Sequence, residues 1–91
     1  MHSKNDVVSV VTVGGEIVGK FLRETTTDMT IADPHMVTPN GESIGFIPAV
    51  SMTGVQSPKE VTIQKGAIVL TVKTAEEVER EWRKATSGLI I

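Results

Sequence analysis

The chain has 91 residues, 40% hydrophobic and 22% charged, with a formal net charge of −2 and a pI near 5.6. That length holds one domain with a modest core, the composition excludes intrinsic disorder, and the acidic balance excludes binding of nucleic acid by bulk charge, so any such site must be local. Cysteine is absent and aromatic residues are 3% of the chain, which removes disulfides, thiolate nucleophiles and the common structural zinc sites and leaves no aromatic platform for stacking bases.

Met1 to Asp6 is polar and reads as a loose, flexible terminus, without the apolar region of a signal peptide. Val7 to Val13 is almost wholly β-branched and predicts a strand; Gly14-Gly15 predicts the tight turn of a hairpin. Glu16 to Arg23 resumes alternation, with Ile17 and Phe21 on one face and Val18 and Leu22 on the other. A glycine in mid-strand, Gly19, marks a bulge, a bend or a close backbone approach. Thr25 to Asp28 breaks the pattern, and Met29 to Met36 is a third extended segment in which Pro34 belongs at an edge or at the strand end.

Pro39-Asn40-Gly41 is a turn signal. From Ser43 to Thr53 the apolar residues alternate (Ile44, Phe46, Pro48, Val50, Met52), Gly54 to Glu60 is a loop, and Val61–Gln64 and Ala67–Lys73 are short β-rich runs on either side of Lys65-Gly66. The period then changes. Thr74 to Glu77 has the form of a capping box, and Ala75, Val78, Trp82 and Ala85 share one helical face, which predicts a C-terminal helix over 74–87 with a Ser87-Gly88-Leu89 stop. Trp82 is expected to face inward and cap the open end of the strand assembly. Short strands broken by glycine turns predict a small antiparallel barrel, all-β apart from this one helix.

Two stretches resemble the motifs of Sm and Sm-like proteins. GGEIVGKFLRETTTDMTIAD, from Gly14 to Asp33, resembles the first motif, and IQKGAIVLTV, from Ile63 to Val72, resembles the second. Together they cover about a third of the chain, in the family's order. The nearest likeness is to small Sm-like proteins of marine phage-type sequences. The resemblance implies a strongly bent five-stranded SH3-like barrel, hexameric or heptameric rings formed through edge strands, and RNA as a partner. It puts Asp28 at the position that stacks on a base, Thr30 at that of the base-reading asparagine, and Lys65-Gly66 at that of the arginine–glycine pair, so that Asp28, Met29, Thr30, Lys65 and Gly66 form the candidate RNA-binding set. An anion, a single hydroxyl and a lysine replace the family's usual groups there, and lysine lacks the planar face of arginine.

Two functional classes follow: an Sm-like ring that binds RNA weakly through the loops around Asp28–Thr30 and Lys65-Gly66, and a structural or protein-interaction ring that has lost base recognition. The residues offer little to other chemistries. His2 and His35 without cysteine give no metal-ligand spacing and read as terminal, surface or loop histidines. Asp28 and Asp33 are more simply solvated or turn-forming than an acid–base pair, the serines lack a nucleophile-elbow context, and Gly14-Gly15 opens no helix that could hold phosphate. Met29, Met36 and Met52 read as core or interface filler. The expectation is therefore a non-enzymatic cytoplasmic protein with no cofactor, no metal, no membrane partner and no evident small-molecule substrate.

Overall fold

The computed structural model describes residues 2–48, 50, 53–55 and 58–87. Their backbone forms six antiparallel strands, β1 (Val7–Thr12), β2 (Gly15–Glu24), β3 (Asp28–Asn40), β4 (Ser43–Ile47), β5 (Glu60–Gln64) and β6 (Ile68–Lys73), followed by one helix, α1 (Glu76–Ser87). A single 3-10 turn, Lys65–Ala67, joins β5 to β6. The predicted strand over 43–53 ends at Ile47; Ala49, Ser51 and Met52 of that prediction, and the Gly88-Leu89 helix stop, lie outside the described residues.

β3 is 13 residues long and organises the sheet. One of its edges pairs with β2. The other takes two partners in succession, β5 along Asp28–Ala32 and β4 along Met36–Asn40. β1 pairs with β2 on one side and β6 on the other, giving the order β4-β3-β2-β1-β6 with β5 beside β3. Among the described residues no ladder joins β5 to β6, so the sheet is open. The first hairpin turns on Val13-Gly14, one residue earlier than the double glycine implies, because Thr12 already faces Gly15 across the ladder. The β3–β4 turn is Gly41-Glu42, with Gly41 at φ 65°, a left-handed value that glycine adopts freely at the first central position of a two-residue hairpin.

Of the two places expected for Pro34, an edge or a strand end, the length of β3 removes the strand end, and Pro34 falls in the gap that β5 and β4 leave on the outer edge of β3. Ala32 pairs with Lys20 and His35 with Val18, so Asp33-Pro34 stands opposite Gly19 alone. This is a bulge, and it lets the strand run through a residue with no N–H to donate. Asp33 takes the positive φ of 49° there. The bulge also explains the mid-strand glycine: a Cβ on Gly19 would lie 2.8 Å from the Ala32 carbonyl oxygen and 3.1 Å from Ile31 Cδ1.

Alternation sorts the apolar residues onto two faces. Val8, Val10, Ile17, Phe21, Met29 and Ile31 form the larger buried cluster, against which Val61 and Ile63 of β5 and Ile68 of β6 also pack. Strands from both margins of the sheet thus contribute to one cluster. The opposite face buries Val7 and Val18 under Trp82, with Val37 and Phe46 packed beside them. Trp82 therefore covers this second face of the sheet rather than an end of it. Its indole Nε1 donates to the Asp33 carbonyl at 3.2 Å, so the bulge that accommodates Pro34 also holds the helix.

The helix starts at Glu76, two residues later than its capping-box signal. The Thr74 hydroxyl is hydrogen-bonded to Ser9 Oγ at 2.8 Å, and the Thr74 N–H donates to the Val7 carbonyl at 3.0 Å. Thr74 thus clamps the helix entry to β1, and the first helical bond runs from Glu79 N–H to Ala75 O. The apolar stripe is narrower than predicted: Trp82 is buried and Val78 half-buried, while Ala75 and Ala85 are exposed. Ahead of β1, Asn5 donates to the Phe21 carbonyl and Phe21 donates back to Asp6 O, both at 2.7 Å. No helix among the described residues is long and apolar enough to cross a membrane.

Candidate nucleic-acid interface

The loop between β2 and β3 is a threonine turn. Thr25 Oγ1 accepts the backbone N–H groups of Thr27 and Asp28, each at 3.1 Å, and donates to Asp28 Oδ1 at 3.1 Å. Short hydroxyl and carboxylate side chains satisfy a turn's backbone in this way, which is why threonine and aspartate gather there. The Lys65 N–H donates to the Thr27 carbonyl at 2.8 Å, and Asp28 pairs in register with Gln64. This β2–β3 turn and the Lys65–Ala67 turn therefore sit side by side. Asp28 and the Lys65-Gly66 pair, 37 residues further along the sequence, meet at one corner of the sheet.

Met29 and Thr30 do not present themselves to a ligand. Met29 is 4% exposed and belongs to the larger core cluster. Thr30 is 3% exposed and shares its hydroxyl hydrogen bond with Thr62 Oγ1 at 2.9 Å, its partner across β3–β5. Alternation forces this: with Asp28 at the strand start, Met29 turns into the core, and Thr30 faces its cross-strand neighbour.

The cation of the set is already paired. Lys65 Nζ lies 2.7 Å from Glu24 Oε1 at the end of β2. The Lys65 ammonium beside it, through a hydrogen bond and its charge, holds the Glu24 carboxyl below its ordinary value of 4.5. The nearest other cation on β2, Arg23, bonds Glu60 at 3.2 Å. Lys65 is thus matched by Glu24 at this corner and Arg23 by Glu60 further along β5, a balance that offers a polyanion little attraction. The sequence reading missed Glu24. Its place follows from β2 and the 3-10 turn arriving at the same corner, and no spacing rule in the sequence announces that juxtaposition.

His35, expected at the surface or in a loop, is buried, 7% exposed. Its Nδ1 is 2.9 Å from the Asp33 carbonyl, the same oxygen that accepts Trp82 Nε1, and its ring meets Phe46 edge-on at 6.4 Å. It is a packing and orienting residue of the helix-side cluster. Asp28 and Asp33 stand at the start and at the bulge of β3 and make no pair. Among the described residues no group of three or more histidine, aspartate or glutamate side chains is placed to hold a metal ion.

No protein-family model matches the chain, and no curated protein matches its sequence.

Proposed function

We propose that the chain is an Sm-like barrel protein that assembles into a homo-oligomeric ring of hexameric or heptameric size, and that its contact with RNA is weak. One observation carries the reading. The Lys65–Ala67 turn hands the chain from β5, paired on β3, to β6, paired on β1, and each of these two strands keeps its second edge without a ladder among the described residues. A free edge is a template for another strand. Two free edges at opposite margins of one curled sheet suit head-to-tail pairing, β5 of one copy on β6 of the next, and such a heterologous contact makes a ring when its rotation closes. The exposed apolar side chain of Leu70 on β6, 46% exposed, favours cover by a second copy over solvent.

For RNA, the support is the shared corner of Asp28, Lys65 and Gly66. The Glu24 partner of Lys65 and the burial of Met29 and Thr30 favour the second reading, a ring for protein interaction without base recognition. Sedimentation velocity with native mass measurement, run beside fluorescence-anisotropy titrations of U-rich and A-rich RNA at moderate salt, tests both. The expected results are one discrete ring-sized species and RNA affinities no tighter than the non-specific range of ~10⁻⁴–10⁻⁶ M. A monomer across micromolar concentrations overturns the ring, and nanomolar binding of U-rich RNA overturns the weak-contact reading.

A further inference from the structure

Among the described residues, the helix-side face of the sheet is only partly covered. Trp82 anchors α1 over Val7, Val18 and Phe46, and beside it a groove runs between the helix and the β3–β4 hairpin. Two hollows of about 490 and 320 Å³ share Ile44 and Val78 as lining residues and so lie side by side along this groove. Val37 and Val72 extend its apolar floor towards β6. Ile44 is 42% and Val72 50% exposed.

The rim carries one sign of charge. Glu42 and Glu77 stand on opposite sides of the groove, on the hairpin and the helix; Glu81 follows Glu77 one turn on, and Glu16 closes the β2 side. Among the described residues Lys73 is the one cation on the lining. Glu81 bonds Lys84 at 3.1 Å across a solvent-exposed pair, whereas Glu16, Glu42 and Glu77 have no ion pair among the described residues. An apolar floor between carboxylate walls fits a segment with the reverse pattern, apolar anchors flanked by lysine or arginine. A helix suits the space best, since one lying beside α1 would complete the helical layer on this face of the sheet.

We propose that this groove docks a cationic amphipathic helix of a partner protein. Every lining residue belongs to one chain, so the site stands whether or not a ring forms, and its acidic rim repels the phosphates of RNA.

The experiment titrates the full-length protein, in its native assembly, with a helix-forming Lys/Leu peptide whose leucines are spaced i, i+3, i+4, i+7. Binding is followed by backbone-amide NMR and fluorescence anisotropy. A Lys/Ser peptide of the same charge and a Glu/Leu peptide of the same apolar pattern serve as controls. Saturable binding of the Lys/Leu peptide is expected, with shifts centred on Ile44, Glu77 and Val78, and binding of the Lys/Ser peptide at least roughly tenfold weaker. The double variant Glu42→Gln/Glu77→Gln should weaken the Lys/Leu peptide roughly fivefold at low salt, with the difference shrinking as salt is added. Ile44→Ser should weaken it at all salt concentrations. Both variants change exposed side chains, and the near-ultraviolet signal of Trp82 reports that each remains folded. Shifts centred elsewhere, equal binding of the Glu/Leu peptide, no response to either variant, or perturbation of the same amides by U-rich RNA would each overturn the proposal.

Discussion

β1 (VVSVVT) and β6 (IVLTVK) are hydrogen-bonded neighbours of nearly the same composition, and they meet opposite surroundings. In β1, Val7, Val8, Ser9 and Val10 are between 0% and 7% exposed; in β6, Val69, Leu70 and Val72 are 65%, 46% and 50% exposed. β-propensity does not separate them, because both are rich in β-branched residues. Position does. β1 has a ladder on each edge, the larger core cluster on one face and Trp82 on the other, whereas β6 has β1 on one edge and no ladder on the other among the described residues. β6 is therefore a strand of interior composition at a margin. A β-bulge between Val11 and Thr12 of the β1–β6 ladder leaves Val69 as the extra residue, so the regular stretch that could take a second ladder is Leu70 to Lys73.

The contrast breaks most sharply if β1 loses its cover. Trp82→Ala should cost roughly 3–5 kcal/mol, because it removes a fully buried aromatic and opens a cavity over Val7 and Val18; chemical denaturation measures it, and a loss below ~1 kcal/mol would mean that α1 does not seal this face. Gly19→Ala comes next. The new methyl would press on the Ala32 carbonyl, backbone that can yield only by shifting the bulge, so a loss of roughly 1–3 kcal/mol is expected in thermal unfolding.

A matched pair sharpens the comparison itself. Val10→Ala on β1 should lose roughly 1–3 kcal/mol through lost burial and an unfilled cavity. Leu70→Ala on β6, measured in the dissociated chain, should lose no more than ~0.5 kcal/mol, the range of exposed substitutions. Equal losses would erase the distinction between the two strands.

The smallest expected effect is in acid. Glu24 titrates below its ordinary value of 4.5 in the fold because Lys65 holds its charged form. A lowered folded value contributes stability that is present above the ordinary value and is lost as the pH falls through the folded one. The pair is a third exposed, so solvent screening keeps the contribution within ~1 kcal/mol. Glu24→Gln should flatten that part of the stability–pH profile below pH 4.5; an unchanged acid limb would show that the pair contributes nothing.

Much of the architecture was legible because alternation and turn residues are local signals. Ile17 and Phe21 declared a shared face, Gly19 declared a bulge, a bend or a close approach, and Val78 and Trp82 declared a docked helix. What the sequence hid was non-local. Pro34 was legible only as an edge or strand-end residue because the register against β2 alone shows the bulge that carries it. Thr74 looked like a helix cap because nothing nearby reveals Ser9, 65 residues away in sequence, as its partner. At the candidate site, the neighbourhood of Asp28 with Lys65-Gly66 followed from the motif resemblance, while the neutralising Glu24 and the buried faces of Met29 and Thr30 emerge only once the strands are paired.

The claim that β6 is an interior strand awaiting a partner is tested most directly by the mass of the assembly in solution. Sedimentation velocity on the unmodified chain and on Leu70→Lys, with Trp82 circular dichroism confirming that both are folded, compares an apolar margin with a charged one. A lysine at an edge is a natural block to further pairing. The account predicts a discrete ring-sized species for the unmodified chain and a shift towards monomer for Leu70→Lys. A monomeric unmodified chain at micromolar concentration, or an assembly whose mass Leu70→Lys leaves unchanged, would contradict it.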